Sequence, residues 1–284
     1  MSGFVVHGFL GTGKGKYVAG KMREALRAGL RVATNCDLFL DNMMPPESKQ
    51  TAVRLPDKPT ASDLMAAGKG YEGPIDNDRM GCMVLDELGS WMNARSFQDK
   101  ERSGVLDWLI HSRKHRWHVY LVVQDVEMID KQVRKGISEY LVRCINADRM
   151  KIPVIGAFLG KKHGKLPRMH IANMSMSAIP GIVIDREFYR GDDLHGAYDT
   201  DQIFRDWIRD PAAPGYKDEP YAGPFSYLSA WHHKGRFLEG LDVKRKVQLK
   251  PKLPLVLKLS QLTPDRAWHY ARLLNLQGAL NPSS

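Results

Sequence analysis

Phe4-Val5-Val6-His7-Gly8-Phe9-Leu10-Gly11-Thr12-Gly13-Lys14 opens the chain with an apolar run, a glycine-rich turn and a lysine. That order predicts a strand, a tight loop and the start of a helix, the arrangement a phosphate-binding loop requires. The glycines allow several backbone N–H groups to point inward at a polyphosphate. The helix that follows adds its positive N-terminal end, and Lys14 supplies a point charge for the outer phosphates. The residues expected on the nucleotide are Gly8, Gly11, Thr12, Gly13, Lys14, Gly15 and Lys16. The spacing is GxxxxGK, but Gly15 stands where a Ser or Thr hydroxyl normally holds magnesium. The loop therefore indicates a nucleotide clearly and its hydrolysis less clearly.

Working outward, Val18, Met22, Ala25 and Leu26 fall at helical spacing behind the loop, and Gly29 suits a helix C-cap. Arg31 to Asn35 reads as the next strand. A polar, proline-containing connection runs from Asp41 to Pro59, followed by a short helix from Ser62 to Ala67. Met83-Val84-Leu85 is a buried strand running into Asp86-Glu87. A helix over Val105–Lys114, a strand over His118–Val123 ending at Gln124, a helix over Met128–Lys135 and a strand over Tyr140–Ile145 complete the alternation. Short apolar runs between compact helices predict an α/β fold of three α/β/α layers around a mostly parallel sheet covered on both faces. The phosphate-binding loop at its first strand makes the expected class a P-loop NTPase.

From Met150 the texture changes. Ile152–Leu159, Met169–Met174 and Ile182–Phe188 read as strands with few helices between them. Pro211 to Pro224, rich in Pro, Gly and Ala, reads as a linker or long loop. Val243 to Lys258 carries six basic residues and no acidic one, and a helix capped by Thr263, Pro264 and Gly278 closes the chain. The expected division is a phosphate-loop domain over 1–205 and a linker with a basic, β-containing C-terminal extension and short helix over 206–284.

The 284 residues carry 42 Lys and Arg against 32 Asp and Glu, a net charge of +10. That balance favours a polyanionic partner, either nucleic acid or an acidic membrane face. The basic 243–258 run suits the same partners, and equally an edge strand with solvated lysines. Cys36, Cys82 and Cys144 lack metal-ligand spacing and read as buried thiols of a reducing compartment. No secretory signal is visible. The longest uncharged apolar stretch, Ile152 to Gly160, falls far short of the roughly 20 residues that span a bilayer. A soluble chain with no transmembrane span is expected. Trp91, Trp108 and Trp117 read as packing residues, and His232-His233 lacks a metal partner set, so magnesium carried with the nucleotide is the one metal expected.

In an open α/β sheet, ligands bind beyond the carboxyl ends of the strands. Three groups fall there: the loop, Asp86-Glu87 and Gln124. Asp86 suits magnesium, directly or through water, and Glu87 suits polarising the attacking water. Gln124 suits positioning that water or sensing the terminal phosphate, and equally a polar strand end. Arg113, in the cluster His111 to Arg116, is the candidate arginine finger on a neighbouring subunit's phosphate. The cluster also fits cations placed at a helix C-terminus, and Arg134 is the second candidate.

Together these segments resemble the Zot (zonular occludens toxin) family, which includes the gene I assembly proteins of filamentous phages. The residues that carry the resemblance are Phe4 to Lys14, Ala28 to Asn35, Val84 to Glu87, His115 to Gln124 and Ile129 to Arg134, with a fainter echo at Ala197-Tyr198-Asp199-Thr200. It covers residues 3–145, and 146–205 less specifically. The resemblance implies a phosphate-loop ATPase of the FtsK/HerA type, working as a homo-oligomeric ring, a hexamer, that powers phage DNA export, packaging or virion assembly. It implies ATP and Mg2+ as cofactors, with Lys14 on the phosphates, Asp86 on magnesium, Glu87 on water and Gln124 as sensor. The implied partners are phage DNA, further copies of the chain, other phage assembly proteins and the anionic inner-membrane surface. The implied place is the host bacterial cytoplasm, free, peripheral to the inner membrane or carried with the virion. Two departures stand out: Gly15, and the lack of the transmembrane helix of filamentous-phage members. The alternative is a nucleotide-gated structural or membrane-associated assembly protein with little or no turnover.

Overall fold

Val5 and Val6 are neighbours in β1 (Gly3–His7), point to opposite faces of the strand, and are both fully buried. A strand buried on both faces needs a covering layer on each side. The computed structural model, which describes residues 3–91, 99–129, 134, 136–147, 169–194, 196–204 and 224–233, supplies both layers. Val6 joins a cluster with Tyr17, Val18, Met22 and Leu26 of α1 (Lys14–Arg27). Val5 joins another with Leu64 of α3 (Ala61–Ala66) and Leu109 of α5 (Asp99–Ile110). Two shorter helices, α2 (Leu40–Met43) and α4 (Leu88–Trp91), follow β2 and β4.

The strands are β2 (Val32–Thr34), β3 (Ala52–Arg54), β4 (Gly81–Leu85), β5 (Trp117–Val123), β6 (Tyr140–Asn146), β7 (His170–Met176), β8 (Ile179–Tyr189) and β9 (Phe225–Tyr227). They form one nine-stranded sheet in the order β8-β7-β6-β1-β5-β4-β2-β3-β9. From β6 to β3 every neighbouring pair is parallel. The flanking strands β7, β8 and β9 are antiparallel. This is the mostly parallel three-layer α/β/α fold expected. Helix α1 ends as its sequence suggests: Gly29 takes φ +75°, and the Gly29 and Leu30 N–H groups donate to the Leu26 and Ala25 carbonyls.

Several boundaries differ from expectation. The connection read over Asp41–Pro59 contains β3, a three-residue strand whose Arg54 is 1% exposed. Pattern reading passes over a charged residue as a loop residue. Here Asp37 and Asp57 meet its guanidinium at 2.9 and 2.6 Å, so it is buried as part of a salt-bridged group. Helix α5 ends at Ile110, because His111 to Arg116 turn back into β5 and Arg116 adopts a φ of +58°. A 3-10 turn at Val126–Met128 follows β5, with the Asp125 carboxylate accepting the Glu127 N–H, and most of the helix expected over Met128–Lys135 lies outside the described residues. β9 comes from the segment assigned to the extension, and it pairs with β3. The first of two compact units runs Met1–Arg236.

The strand read at Ile152–Leu159, the body of the linker at 211–223, the basic run at 243–258 and the closing helix at 263–278 lie outside the described residues. All three cysteines are free and buried, and Trp108 and Trp117 are core residues. No helix among the described residues is long and apolar enough to cross a membrane.

Candidate nucleotide-binding site

The chain leaves β1 at its carboxyl end, where Gly8 takes a φ of +147° that side chains other than hydrogen rarely adopt. A Cβ there would lie 2.6 Å from the Cys144 carbonyl oxygen and 2.9 Å from the Thr12 hydroxyl, so glycine is required twice over. The Gly8 N–H donates to the Gln124 carbonyl at 3.2 Å, tying the loop to the end of β5. Thr12 is buried, and its hydroxyl donates to the Phe9 carbonyl at 2.7 Å. Gly13 caps α1 in the left-handed conformation. The first turn of α1 carries no acidic side chain, which leaves its N–H groups and dipole available to an anion.

Lys14 lies in this loop with its ammonium donating to the Gly8 and Phe9 carbonyls at 2.6 and 3.2 Å. Burial lowers its pKa, and Asp86 across the cleft raises it in opposition. Asp86 leaves the end of β4 held by Asn35. The Asn35 carboxamide oxygen accepts the Asp86 N–H at 2.7 Å, and its NH2 donates to the Asp86 and Asp57 carbonyls at 3.1 and 2.9 Å. Burial pushes the Asp86 carboxyl up to about 6; the Glu87 charge adds to this, while the Glu87 N–H and Lys14 oppose it. That N–H donates to Asp86 Oδ1 at 2.7 Å, and Glu87 adopts a φ of +51°. A left-handed glutamate at a strand end is a strained position, and such positions concentrate at functional sites.

One cleft of about 430 Å³ brings Lys14, Gly15, Lys16, Asp86, Glu87 and Gln124 together. Gly11 and Gly13 line it as well, while Gly8 and Thr12 shape the loop from behind. Arg113 is not among them. It is exposed in the turn before β5, at the amino end of a strand whose carboxyl end carries Gln124. Arg134 lies nearer, lining a neighbouring cavity of about 1080 Å³ with His7, Asp125 and Arg143.

Four residues of the site escaped the sequence reading. Asn35 was read as the end of a strand, and His170, Tyr198 and Gln202 come from far along the chain. The His170 ring packs on Gly13, where a Cβ would lie 2.7 Å from it, and stacks on Tyr189 with centroids 5.4 Å apart. The Tyr189 hydroxyl donates to the Gly13 carbonyl at 3.1 Å. Gln202 donates to the Asn35 carbonyl at 2.9 Å and accepts the Asp37 N–H at 2.7 Å. Burial, with Cys36 and Asp86 adding to it, pushes the Tyr198 phenol up to about 12, so it remains a neutral hydroxyl near pH 7. The only signal for any of these was the echo at Ala197 to Thr200. The cleft is lined by oxygen-bearing side chains, among them the Asp86 and Glu87 carboxylates and the Tyr198 and Thr200 hydroxyls, which are hard ligands of the kind magnesium takes.

The family model described as Zonular occludens toxin (Zot) matches residues 2–160. The Gene 1 protein of Enterobacteria phage fd is 35% identical over 258 residues, covering 88% of this chain and 70% of that protein. The Gene 1 protein of Enterobacteria phage M13 matches with the same identity and coverage. Among solved structures, the N-terminal domain of zonular occludens toxin from Neisseria meningitidis aligns at 15% identity and a TM-score of 0.40, over 70% of this chain and 98% of that one.

Proposed function

The chain belongs to the Zot family, and on that footing we propose that it is an ATPase whose binding and hydrolysis of ATP power phage DNA export, packaging or virion assembly. One observation carries the reading: Lys14, Asp86, Glu87 and Gln124, drawn from the ends of three adjacent parallel strands, line a single cleft. Each has a task suited to its chemistry. The loop N–H groups and the start of α1 receive the phosphates. Lys14 turns from the Gly8 and Phe9 carbonyls to the outer phosphates, exchanging neutral acceptors for charged ones. Asp86, clasped by Asn35, presents a carboxylate to magnesium, which supplies charge neutralisation of the phosphoryl oxygens. Glu87 orients and polarises the attacking water, and Gln124 reads whether a terminal phosphate is present. Phage DNA, a ring of like subunits, and other assembly proteins or the inner-membrane surface are the partners in this reading.

ATP turnover of the purified protein, measured with no DNA, single-stranded DNA and double-stranded DNA beside its oligomeric mass, tests it. Turnover should rise with DNA and fall at least a hundredfold in Lys14→Ala and Glu87→Gln. Turnover that no DNA alters would sink the motor reading. Gly15 favours a second reading, in which ATP binding orders an assembly with negligible turnover. Magnesium-dependent hydrolysis by the unmodified protein would remove it.

A further inference from the structure

Gly15 lacks the hydroxyl that a phosphate loop ordinarily offers at this position, yet the space beside it is not empty. A Cβ built on Gly15 would lie 2.7 Å from the Tyr198 hydroxyl oxygen, 2.9 Å from its Cε2 and 3.1 Å from its Cζ. The edge of the Tyr198 ring and its hydroxyl therefore occupy the volume that a Ser or Thr side chain would need. Resting on the ATPase reading above, we propose that Tyr198 supplies the missing hydroxyl: its phenol oxygen takes the place of a residue-15 side chain in holding magnesium, directly or through a bound water.

Three observations support this. The first is placement, since Lys14, Gly15, Asp86 and Tyr198 line the same cleft. The second is rigidity. Tyr198 forms an antiparallel bridge with Leu38, and the bonds Phe39 N–H to Ala197 O and Asp199 N–H to Asp37 O, both 2.9 Å, fasten its segment to the stretch between β2 and α2. Asn42 holds the Gly196 carbonyl at 2.7 Å, and Gln202 ties the same segment to Asn35, the residue that clasps Asp86. The hydroxyl and the carboxylate are thus set on one hydrogen-bonded frame. The third is chemistry. A phenol offers the same neutral oxygen as Ser or Thr, with lone pairs for a hard cation and a proton for a phosphate oxygen. Two nearby tyrosines, Tyr189 and Tyr227, direct their hydroxyls instead to the Gly13 carbonyl and the Asp37 carboxylate.

The exchange also makes Gly15 obligatory. A side chain there and the Tyr198 ring cannot share the space, so the two positions should behave as alternatives. The test is the affinity for a fluorescent ATP analogue titrated with Mg2+ and, separately, in EDTA. In Tyr198→Phe the affinity in Mg2+ should fall about tenfold, as losses of metal-supporting groups do, while the affinity in EDTA stays as in the unmodified chain. Gly15→Ser alone should also weaken the Mg2+-dependent part, by displacing the ring. Gly15→Ser combined with Tyr198→Ala should recover more of it than either single variant shows, with thermal melting confirming that each is folded. If Lys14→Ala abolishes binding but Tyr198→Phe keeps the full Mg2+ dependence, this assignment is overturned and the ATPase reading stands. If the unmodified chain binds no nucleotide in either condition, both are overturned.

Discussion

Burying the Asp86 carboxyl costs the fold stability. A carboxyl pushed up to about 6 by burial holds its proton more tightly folded than unfolded, where it titrates near 4. Below pH 4 both states are protonated and the group is neutral in the balance. As the pH rises through 6 the folded protein must carry a charge it would rather not, so this residue removes stability. Asp86→Asn deletes the charge and leaves the Asn35 clasp, which acts on the backbone, intact. Urea unfolding in EDTA should find the variant close to the unmodified protein at pH 4 and more stable by about 1–3 kcal/mol at pH 7.5. A variant that is no more stable at pH 7.5 would refute the assignment. The trade of stability for a poised functional group is a familiar one.

Element by element, the sheet shows what local patterning can and cannot reveal. β1, β4 and β5 announce themselves because strands covered on both faces need near-continuous apolar runs. The phosphate loop is legible for a similar reason: its glycines, lysine and helix start are contiguous, so their chemistry can be read without knowing any neighbour. β3 could not be read this way. Its Arg54 becomes a core residue only through Asp37 and Asp57, and Asp37 in turn accepts the Tyr227 hydroxyl at 2.7 Å from β9, 190 residues away. Tyr198, His170 and Gln202 were hidden by the same logic, since what they do depends on residues brought to them by the fold. Arg54→Met should cost about 3–5 kcal/mol in urea unfolding, because it leaves two carboxylates without their shared cation. Adding Asp37→Asn and Asp57→Asn should return part of that loss; no recovery would mean that packing, not charge, explains Arg54.

At the scale of the whole molecule, the placement of Arg113 decides how it can act. The cleft lies at the carboxyl ends of the strands, and Arg113 precedes the amino end of β5, with the seven residues Trp117–Val123 between them. At ~3.3 Å per residue that is about 20 Å, beyond the reach of an arginine side chain to its own nucleotide. If Arg113 acts on a phosphate, it does so across a subunit boundary, which ties turnover to assembly. Arg113→Ala should then bind nucleotide as the unmodified protein does and lose turnover by about a thousandfold. Lys14→Ala should lose nucleotide binding while keeping Arg113. Each variant is inactive alone, yet their mixture contains boundaries where an intact cleft from one subunit meets an intact arginine from the other. Mixed at equal concentrations, the two variants should therefore recover a measurable fraction of turnover that neither shows by itself. Recovery would place the arginine in trans, and a mixture as inactive as its parts would move the search to Arg134, which already lies beside the carboxyl end of β1 with His7.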